Sequence, residues 1–504
     1  MAEINRRGPA LYALETIHQT AAAEPSKLAV VYNGRPLAYD EFWRRIEACL
    51  RSLSPQLPAH GIAILSVDSL LAAWILSFAV RGLGLDAAVT RTGEQVELFA
   101  GLDVACVISL SSEARPAAVA PVGAKVLRIE DPALAAISSD DPLPPLPEGS
   151  AGGQILLTSG TTGESKKVLL DYGCTRATIE ARVANYRDLG DKDRQMGPDN
   201  VLNVFGLGLW TGAGHLWPMV TWCLGGGVIL YEGETDFHRA LDWPGITHTR
   251  TTPAYMAVLL AMPEGSFPYL PDMQLTVVSG GLTPAMARET RRRLTPRILI
   301  TLSATEGGGF ARTAIETDED LRWYRLDPKR VVEVVDDNDK ALPPGELGRL
   351  RVLQGQRQVS GYFQDPETSA KFFSDGWFYP GDMAVLDGKG RIALYGRTTD
   401  IVHIRGSKYP AEPWERAIQE ALECEGVCLL SGSWRSESEQ LHLFIESRKP
   451  ISDEALANAV RSTLSGFPGV HIHKIDALPR TAGGKIRRIT LAQQLHDGVY
   501  GQDA

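Results

Sequence analysis

Cysteine is scarce, with six residues in 504: Cys49, Cys106, Cys174, Cys223, Cys424 and Cys428. Only the last two stand close, at the i, i+4 spacing of a helix and without nearby histidines, so reduced thiols and no zinc site are expected. Long apolar runs are also missing. The longest, Leu70–Val80, is interrupted by Ser77 and is too short to span a bilayer. The charged start Met1-Ala-Glu-Ile-Asn-Arg-Arg7 leads into no apolar signal core, so the expectation is a cytoplasmic protein. Positive charge is not in excess either: 51 Lys and Arg against 61 Asp and Glu leave a net charge of −10. Such a chain has no electrostatic footprint for nucleic acid or an anionic membrane, and neither partner is expected. A GxGxxG after a strand, a GxSxG elbow and an HExxH pair are all absent, which removes the simplest dehydrogenase, serine-hydrolase and zincin readings.

What remains is average for a globular protein, 44% hydrophobic and 22% charged, and long enough for a few domains. Helix-like patterns alternate with short apolar runs at Ala29–Tyr32, Gly61–Val67, Val104–Ser109, Lys125–Ile129 and Gln154–Thr158. Buried strands in layered α/β structure fit this best. Ser138–Gly153, rich in Ser, Asp, Pro and Gly, reads as a surface loop delivering the chain into the Gln154 strand. After Gly345, strands separated by Gly, Asp and Asn turns suggest a β-rich subdomain. From about Thr399 a small α+β piece is expected, with helices at Glu412–Glu423 and Ser452–Ser465, strands near Val427 and His442, and a glycine-rich end at Thr481–Lys485.

The strongest local signal is Leu157-Thr-Ser-Gly-Thr-Thr-Gly-Glu-Ser-Lys-Lys167, a glycine and hydroxyl-rich loop after a strand. Glycines let successive backbone N–H groups converge on an anion, hydroxyls add donors, and Lys166 supplies charge, so the segment suits a polyphosphate. It is not a Walker A loop, because Ser165 stands before Lys166 where the motif needs glycine. Alone, such a segment is more often an ordinary polar turn, and other sites must decide.

Several motifs follow in order, and together they resemble the adenylate-forming superfamily of acyl-CoA synthetases, peptide-synthetase adenylation domains and luciferases. Thr158, Ser159, Gly160, Thr161, Thr162, Gly163 and Lys166 match its threonine-rich phosphate loop, with Ser165 and Lys167 in place of the usual proline and glycine. Ser279-Gly280-Gly281 is similar to its adenine-side turn. Leu302-Ser303-Ala304-Thr305-Glu306 resembles the Tyr-Gly-x-Thr-Glu motif, with Leu302 in place of the adenine-stacking ring. Phe378-Tyr-Pro-Gly-Asp382 resembles the ribose-binding motif, Gly396-Arg397-Thr-Thr399-Asp400 the hinge segment, and Pro479-Arg-Thr-Ala-Gly-Gly-Lys485 the C-terminal lysine motif. The resemblance implies an adenylation domain over residues 1–398, made of layered α/β subdomains and a β-rich one, and a mobile α+β domain over 399–504. Catalytic roles are implied for Lys485, Thr161 and Glu306, with Glu306 receiving Mg²⁺ together with ATP. Asp382 is implied as the ribose ligand, Arg397 as a residue near ribose and phosphate, and Thr399 as a hinge without the usual charge. The residue chemistry agrees, since attack on the α-phosphate needs a cation, a metal and fixed donors.

The implied activity is ATP-dependent conversion of a carboxylic acid to an acyl-adenylate. The acid pocket falls on Asn203, Val204, Phe205, Gly206, Trp210, Gly281, Gly307 and Gly308, a nearly uncharged set. Without a counter-charge a buried α-ammonium group is costly, so an aromatic, heteroaromatic or medium aliphatic acid is expected rather than an α-amino acid. The expected acceptor is the thiol of coenzyme A. The alternatives are direct transfer to an amine, to which Lys408, Tyr409 and Thr399 point, loading of a separate carrier protein, and a catalytically silent nucleotide-binding homologue.

Overall fold

The computed structural model describes residues 12–90, 93–113, 121–135, 151–159, 165–188, 197–233, 236–355, 358–398, 400–404, 407–431, 441–464, 469–480, 486–497 and 499–500. The chain forms two compact units that interleave along the sequence. The first comprises Met1–Thr158, Ser165–Gly308 and Gln354–Ala370, the second Ser159–Glu164, Gly309–Leu353 and Lys371–Ala504.

The first unit holds two sheets. In one, the strands run Lys125–Ile129, Val104–Leu110, Ile62–Ser66, Asp86–Thr90, Gln154–Ser159 and Ser165–Leu170 in spatial order, the first five paired in parallel. In the other, parallel strands Ile298–Ala304, Gln274–Val277, His248–Thr251, Val201–Val204, Gly227–Leu230 and Leu28–Tyr32 follow one another, and Arg35–Ala38 closes the edge as an antiparallel hairpin. Parallel strands buried on both faces need near-continuous apolar runs, and Ile62–Ser66 and Val201–Val204 are buried at every position.

Helices Tyr12–Ala23, Tyr39–Leu53, Leu70–Gly82 and Gly212–Cys223 share one core with these sheets. The run too short for a membrane is the central helix, buried from Leu71 through Gly82 and capped by Ser69 Oγ, which accepts from Ala72 N–H at 3.2 Å. Its Trp74 meets Trp222 edge to face at 4.9 Å and Phe78 at 5.5 Å between ring centres. Among the described residues no helix is long and apolar enough to cross a membrane.

This helix also fixes the start of the phosphate-loop strand. Ser77 Oγ donates to Gln154 Oε1 at 2.9 Å, Arg81 Nε donates to the Gly152 carbonyl at 3.1 Å, and Gly152 N–H returns a bond to the Arg81 carbonyl at 2.9 Å. Burial pulls the Arg81 guanidinium down to about 10, against the nearby Asp86 carboxylate. A Cβ on Gly152 would lie 1.8 Å from the Leu85 carbonyl oxygen, so only glycine lets the two backbones approach this closely. The end of the segment read as a surface loop is therefore interior: Gly152 and Gly153 are buried, while residues 138–150 lie outside the described residues.

The strands of the second unit's larger sheet pair antiparallel. Strands Phe373–Ser374, Trp377–Phe378, Gly348–Leu353, Asp382–Leu386, Arg391–Arg397, Tyr324–Leu326 and Gly308–Ala314 lie side by side, with Val332–Val335 paired to Gly348–Leu353. The hairpin Ile401–Ile404/Ser407–Pro410 leads into helix Glu412–Leu422. Strand Gly426–Ser431 pairs antiparallel with Leu441–Glu446, which pairs parallel with Val470–Ile475 across the helix Asp453–Thr463. These elements enclose a separate small core around Val402, Ile418, Val427, Leu443 and Leu456. The α/β, β-rich and α+β textures expected from the sequence are thus all present.

Candidate active site

In the first unit, Lys166 is the second residue of strand Ser165–Leu170, and its carbonyl accepts from Thr158 Oγ1 at 3.5 Å. Successive strand residues face opposite sides, and Lys167 accordingly turns away, donating to the Leu98 carbonyl at 3.1 Å. The Lys167 carbonyl accepts from Phe363 N–H at 2.7 Å, which brings Tyr362 beside Lys166. Lys166 Nζ stands 5.0 Å from the centre of the Tyr362 ring.

Tyr362 also reaches the acidic motif. Its hydroxyl donates to Glu306 Oε1 at 3.0 Å, and Glu306 is 8% exposed. Gln354 Nε2 donates to the Glu306 carbonyl at 3.1 Å and to the Val359 carbonyl at 2.9 Å, holding the backbone under the carboxylate. Among the described residues the one hydrogen bond to the Glu306 carboxylate is from Tyr362. The structure thus brings together Lys166 and Glu306, which are far apart in sequence, and Tyr362 joins them.

Strand Ile298–Ala304 delivers the rest of that motif. Leu302 is buried at 7% and Ser303 is exposed, as alternation along a strand requires. Ala304 and Thr305 are half-buried, and Gly307 is buried beside them. A Cβ on Gly212, at the start of helix Gly212–Cys223, would sit 2.7 Å from Thr305 Oγ1, so that helix end packs directly on Thr305. In the adenine-side turn Ser279 takes a left-handed φ of 64°, an unusual conformation for a residue with a side chain, and Gly280 and Gly281 follow it half-buried.

Of the residues expected to line an acid pocket, Asn203, Val204, Phe205, Gly206 and Trp210 lie at the carboxyl end of strand Val201–Val204 and just beyond it, where parallel sheets commonly bind ligands. Asn203 is fully buried, and among the described residues neither its amide nitrogen nor its carbonyl oxygen has a hydrogen-bond partner. Thr251, on the adjacent strand, is also fully buried with an unpartnered hydroxyl. Asn203 registers with Thr249, so Thr251 lies two residues further along the same face. Val204 and Phe205 are buried, and Phe205, Phe237 and Tyr255 form an aromatic group with centres 5.1 to 6.1 Å apart. Tyr255 covers Gly206, whose φ is +71° and whose Cβ would fall 2.2 Å from the Tyr255 ring. Trp210 lies in the same way over Gly208, and Gly308 has a φ of 67°. One buried cation escaped the uncharged reading of this region: Arg250, whose guanidinium stacks 3.5 Å from the centre of the Trp217 ring.

In the second unit Asp382 and Arg397 are directly opposite on antiparallel strands. Arg397 Nε lies 3.0 Å from Asp382 Oδ1, and Arg397 Nη1 donates to the Pro380 carbonyl at 2.5 Å. Thr398 N–H donates to the Gly381 carbonyl at 2.8 Å. Two residues read separately from the sequence are therefore one device, in which the arginine orients the carboxylate and braces its turn. Tyr409 meets Trp414 with ring centres 5.4 Å apart and planes tilted by 34°, and packs against the small core. Gly160, Thr161, Thr162, Gly163, Thr399 and Lys485 lie outside the described residues, as does the side chain of Ser159.

Tyr362 and Gln354 are the residues that sequence reasoning missed. A lone tyrosine after Gly361 has no motif or periodicity to mark it; its partner Glu306 is 56 positions away.

Comparison with known proteins identifies the family. The family described as AMP-binding enzyme matches residues 17–363. The long-chain-fatty-acid–CoA ligase of Salmonella typhimurium is 27% identical over 369 residues, covering 68% of this chain and 61% of that protein; the chain thus spans under two thirds of that relative's length. Feruloyl-CoA synthase of Amycolatopsis sp. is 25% identical over 506 residues, covering 92% and 95%. The structure of the amide bond synthetase McbA from Marinactinospora thermotolerans superposes with a TM-score of 0.78 at 21% identity, covering 96% of this chain and 99% of that one, a likeness of fold. With the family match covering more than half its length, the chain belongs to the AMP-binding enzymes.

Proposed function

We propose that this protein activates a carboxylic acid with ATP. A carboxylate oxygen attacks the α-phosphorus, the bond from that phosphorus to the bridging oxygen breaks, and pyrophosphate leaves with the electron pair, giving an acyl-adenylate. The observation that carries this reading is the group formed by Lys166, at the start of strand Ser165–Leu170, with Tyr362 and Glu306. It sets a cation and a buried carboxylate on two sides of one ring, the pairing that a metal-bound polyphosphate requires.

The donor set fits Mg²⁺ that arrives with its nucleotide. Among the described residues no cluster of three or more His, Cys, Asp or Glu would hold a metal alone, and Glu306 offers one hard oxygen ligand kept in place by Tyr362. Mg²⁺ there would neutralise charge on the phosphate oxygens. Asp382, aimed by Arg397, would accept from the ribose hydroxyls. Lys485 would bridge the carboxylate and the α-phosphate.

The acyl group then passes to an acceptor whose nucleophile attacks the carbonyl, with AMP leaving. The CoA-ligase names of the relatives favour the thiol of coenzyme A. An amine is the second reading, supported by the fold shared with an amide bond synthetase and by the uncharged Thr399 at the hinge position. The test is Lys485→Ala: ATP binding should persist while acyl-adenylate formation slows at least ~10²-fold, as loss of a transition-state contact demands. An unchanged rate of pyrophosphate release would overturn the assignment.

A further inference from the structure

The chain on either side of residues 481–485 is fastened with unusual care. Arg480 and Ile486 form an antiparallel bridge, and Arg487 N–H donates to the Pro479 carbonyl at 2.7 Å, so the two flanks close against each other. On the near side, Arg480 Nη2 lies 2.9 Å from Glu446 Oε2, an oxygen that also accepts from Leu478 N–H at 3.2 Å. On the far side stands Arg488. Its Nη1 and Nη2 donate to the two oxygens of Glu415 at 2.8 and 2.6 Å, its Nε lies 3.0 Å from Asp400 Oδ2, and Nη1 also donates to the Leu429 carbonyl at 3.1 Å. Glu415 in turn accepts from Leu429 N–H at 2.5 Å. The side chains of Arg488, Glu415 and Asp400 are 17%, 9% and 21% exposed, so water screens these bonds little.

We propose that Arg488 is a positioning residue for Lys485, fixing the chain that directly follows it by binding Glu415 and Asp400 at once. This rests on the reading of Lys485 given above. Glu415 belongs to helix Glu412–Leu422 and Asp400 directly follows Thr399, so one guanidinium joins the chain just after Lys485, the helix of the small core and the chain next to the hinge position. Only a planar fork with donors on three nitrogens makes these bonds together; a lysine ammonium in the same place reaches one carboxylate.

Two mild variants of the full-length protein test this: Arg488→Lys, which keeps the charge, and Asp400→Asn, which leaves the pair with Glu415 intact. Trypsin cleavage at Lys485–Ile486, followed by mass spectrometry, reads the segment without any need for activity. Pyrophosphate release, with whichever acid of a panel supports it in the unaltered protein, reads kcat and the KM for ATP. In Arg488→Lys, cleavage at that bond should accelerate at least ~5-fold while other sites stay within about 2-fold, and kcat should fall about 10-fold with KM for ATP changed less than about 3-fold. Asp400→Asn should shift both readings in the same direction by less. Unchanged cleavage and kcat in both variants would overturn the proposal. So would a fall in kcat accompanied by equal loss of protection throughout the chain, the mark of a merely structural role. If no acid releases pyrophosphate from the unaltered protein, the proposed function fails, while the trypsin comparison still decides whether Arg488 holds the segment.

Discussion

Tyr362 is the residue that ties together the proposed phosphate end of the site, because it contacts Lys166 through its ring and Glu306 through its hydroxyl. Removing only the hydroxyl separates the two contacts. Tyr362→Phe should lower kcat for pyrophosphate release about tenfold, the effect expected from losing a hydrogen bond to a charged acceptor. Equal rates in the two proteins would show that the hydroxyl does not orient Glu306. Asn203 makes a different case, since a buried amide with no partner is a burden to the fold. Asn203→Leu, of similar volume, should raise the free energy of unfolding by about 1–3 kcal/mol in urea titration and narrow or shift the range of acids accepted. A loss of stability of that size would mean that the amide is bonded. Glu306 and Asp382 were legible in the sequence because each sits in a motif; Tyr362 and Arg488 were not, because their partners are set by the fold across 56 and 73 positions.

Elements were the most legible level, since each of the five apolar runs read as strands is a strand and the longest run is a helix. That helix is the mechanical base of the first unit, and Trp74→Ala should cost about 3–5 kcal/mol of stability by leaving a cavity against Trp222 and Phe78. Ser77 read as an interruption of an apolar run, yet it is the residue that pins Gln154. The interior position of Gly152 was illegible because a close backbone approach has no local signature. In the small sheet, His442 lies 3.0 Å from His473 between ring nitrogens and stacks on His471. Burial, with His473 and His471 adding to it, pulls His442 down to about 4, below its ordinary value of 6.5. A histidine that stays neutral when folded but binds a proton when unfolded makes stability rise with pH, so its contribution is present above about 6.5 and is lost as the pH falls towards 4. His442→Gln should flatten the acid limb of the thermal midpoint against pH over that window, and an unaltered slope would contradict it.

At the scale of the whole molecule, the order of the chain and the order of the structure diverge. Gln354–Ala370 belongs with the first unit although Gly309–Leu353 before it belongs with the second. That excursion carries Gln354 and Tyr362 to Glu306, and nothing in composition or periodicity marks it. Family membership, by contrast, was legible from motifs spread from Thr158 to Lys485, because phosphate, metal and ribose each demand a particular side chain at a particular turn. The same breadth of motif leaves the acid and the acceptor to experiment, since an acyl-adenylate is reactive toward thiol and amine alike. The most direct measurement is mass spectrometry of the protein incubated with ATP, Mg²⁺ and a panel of carboxylic acids, without acceptor. An acyl-AMP from one class of acid, formed with pyrophosphate and lost in Lys485→Ala, is the predicted result. Nucleotide binding with no acid-dependent pyrophosphate from any member of the panel would contradict it.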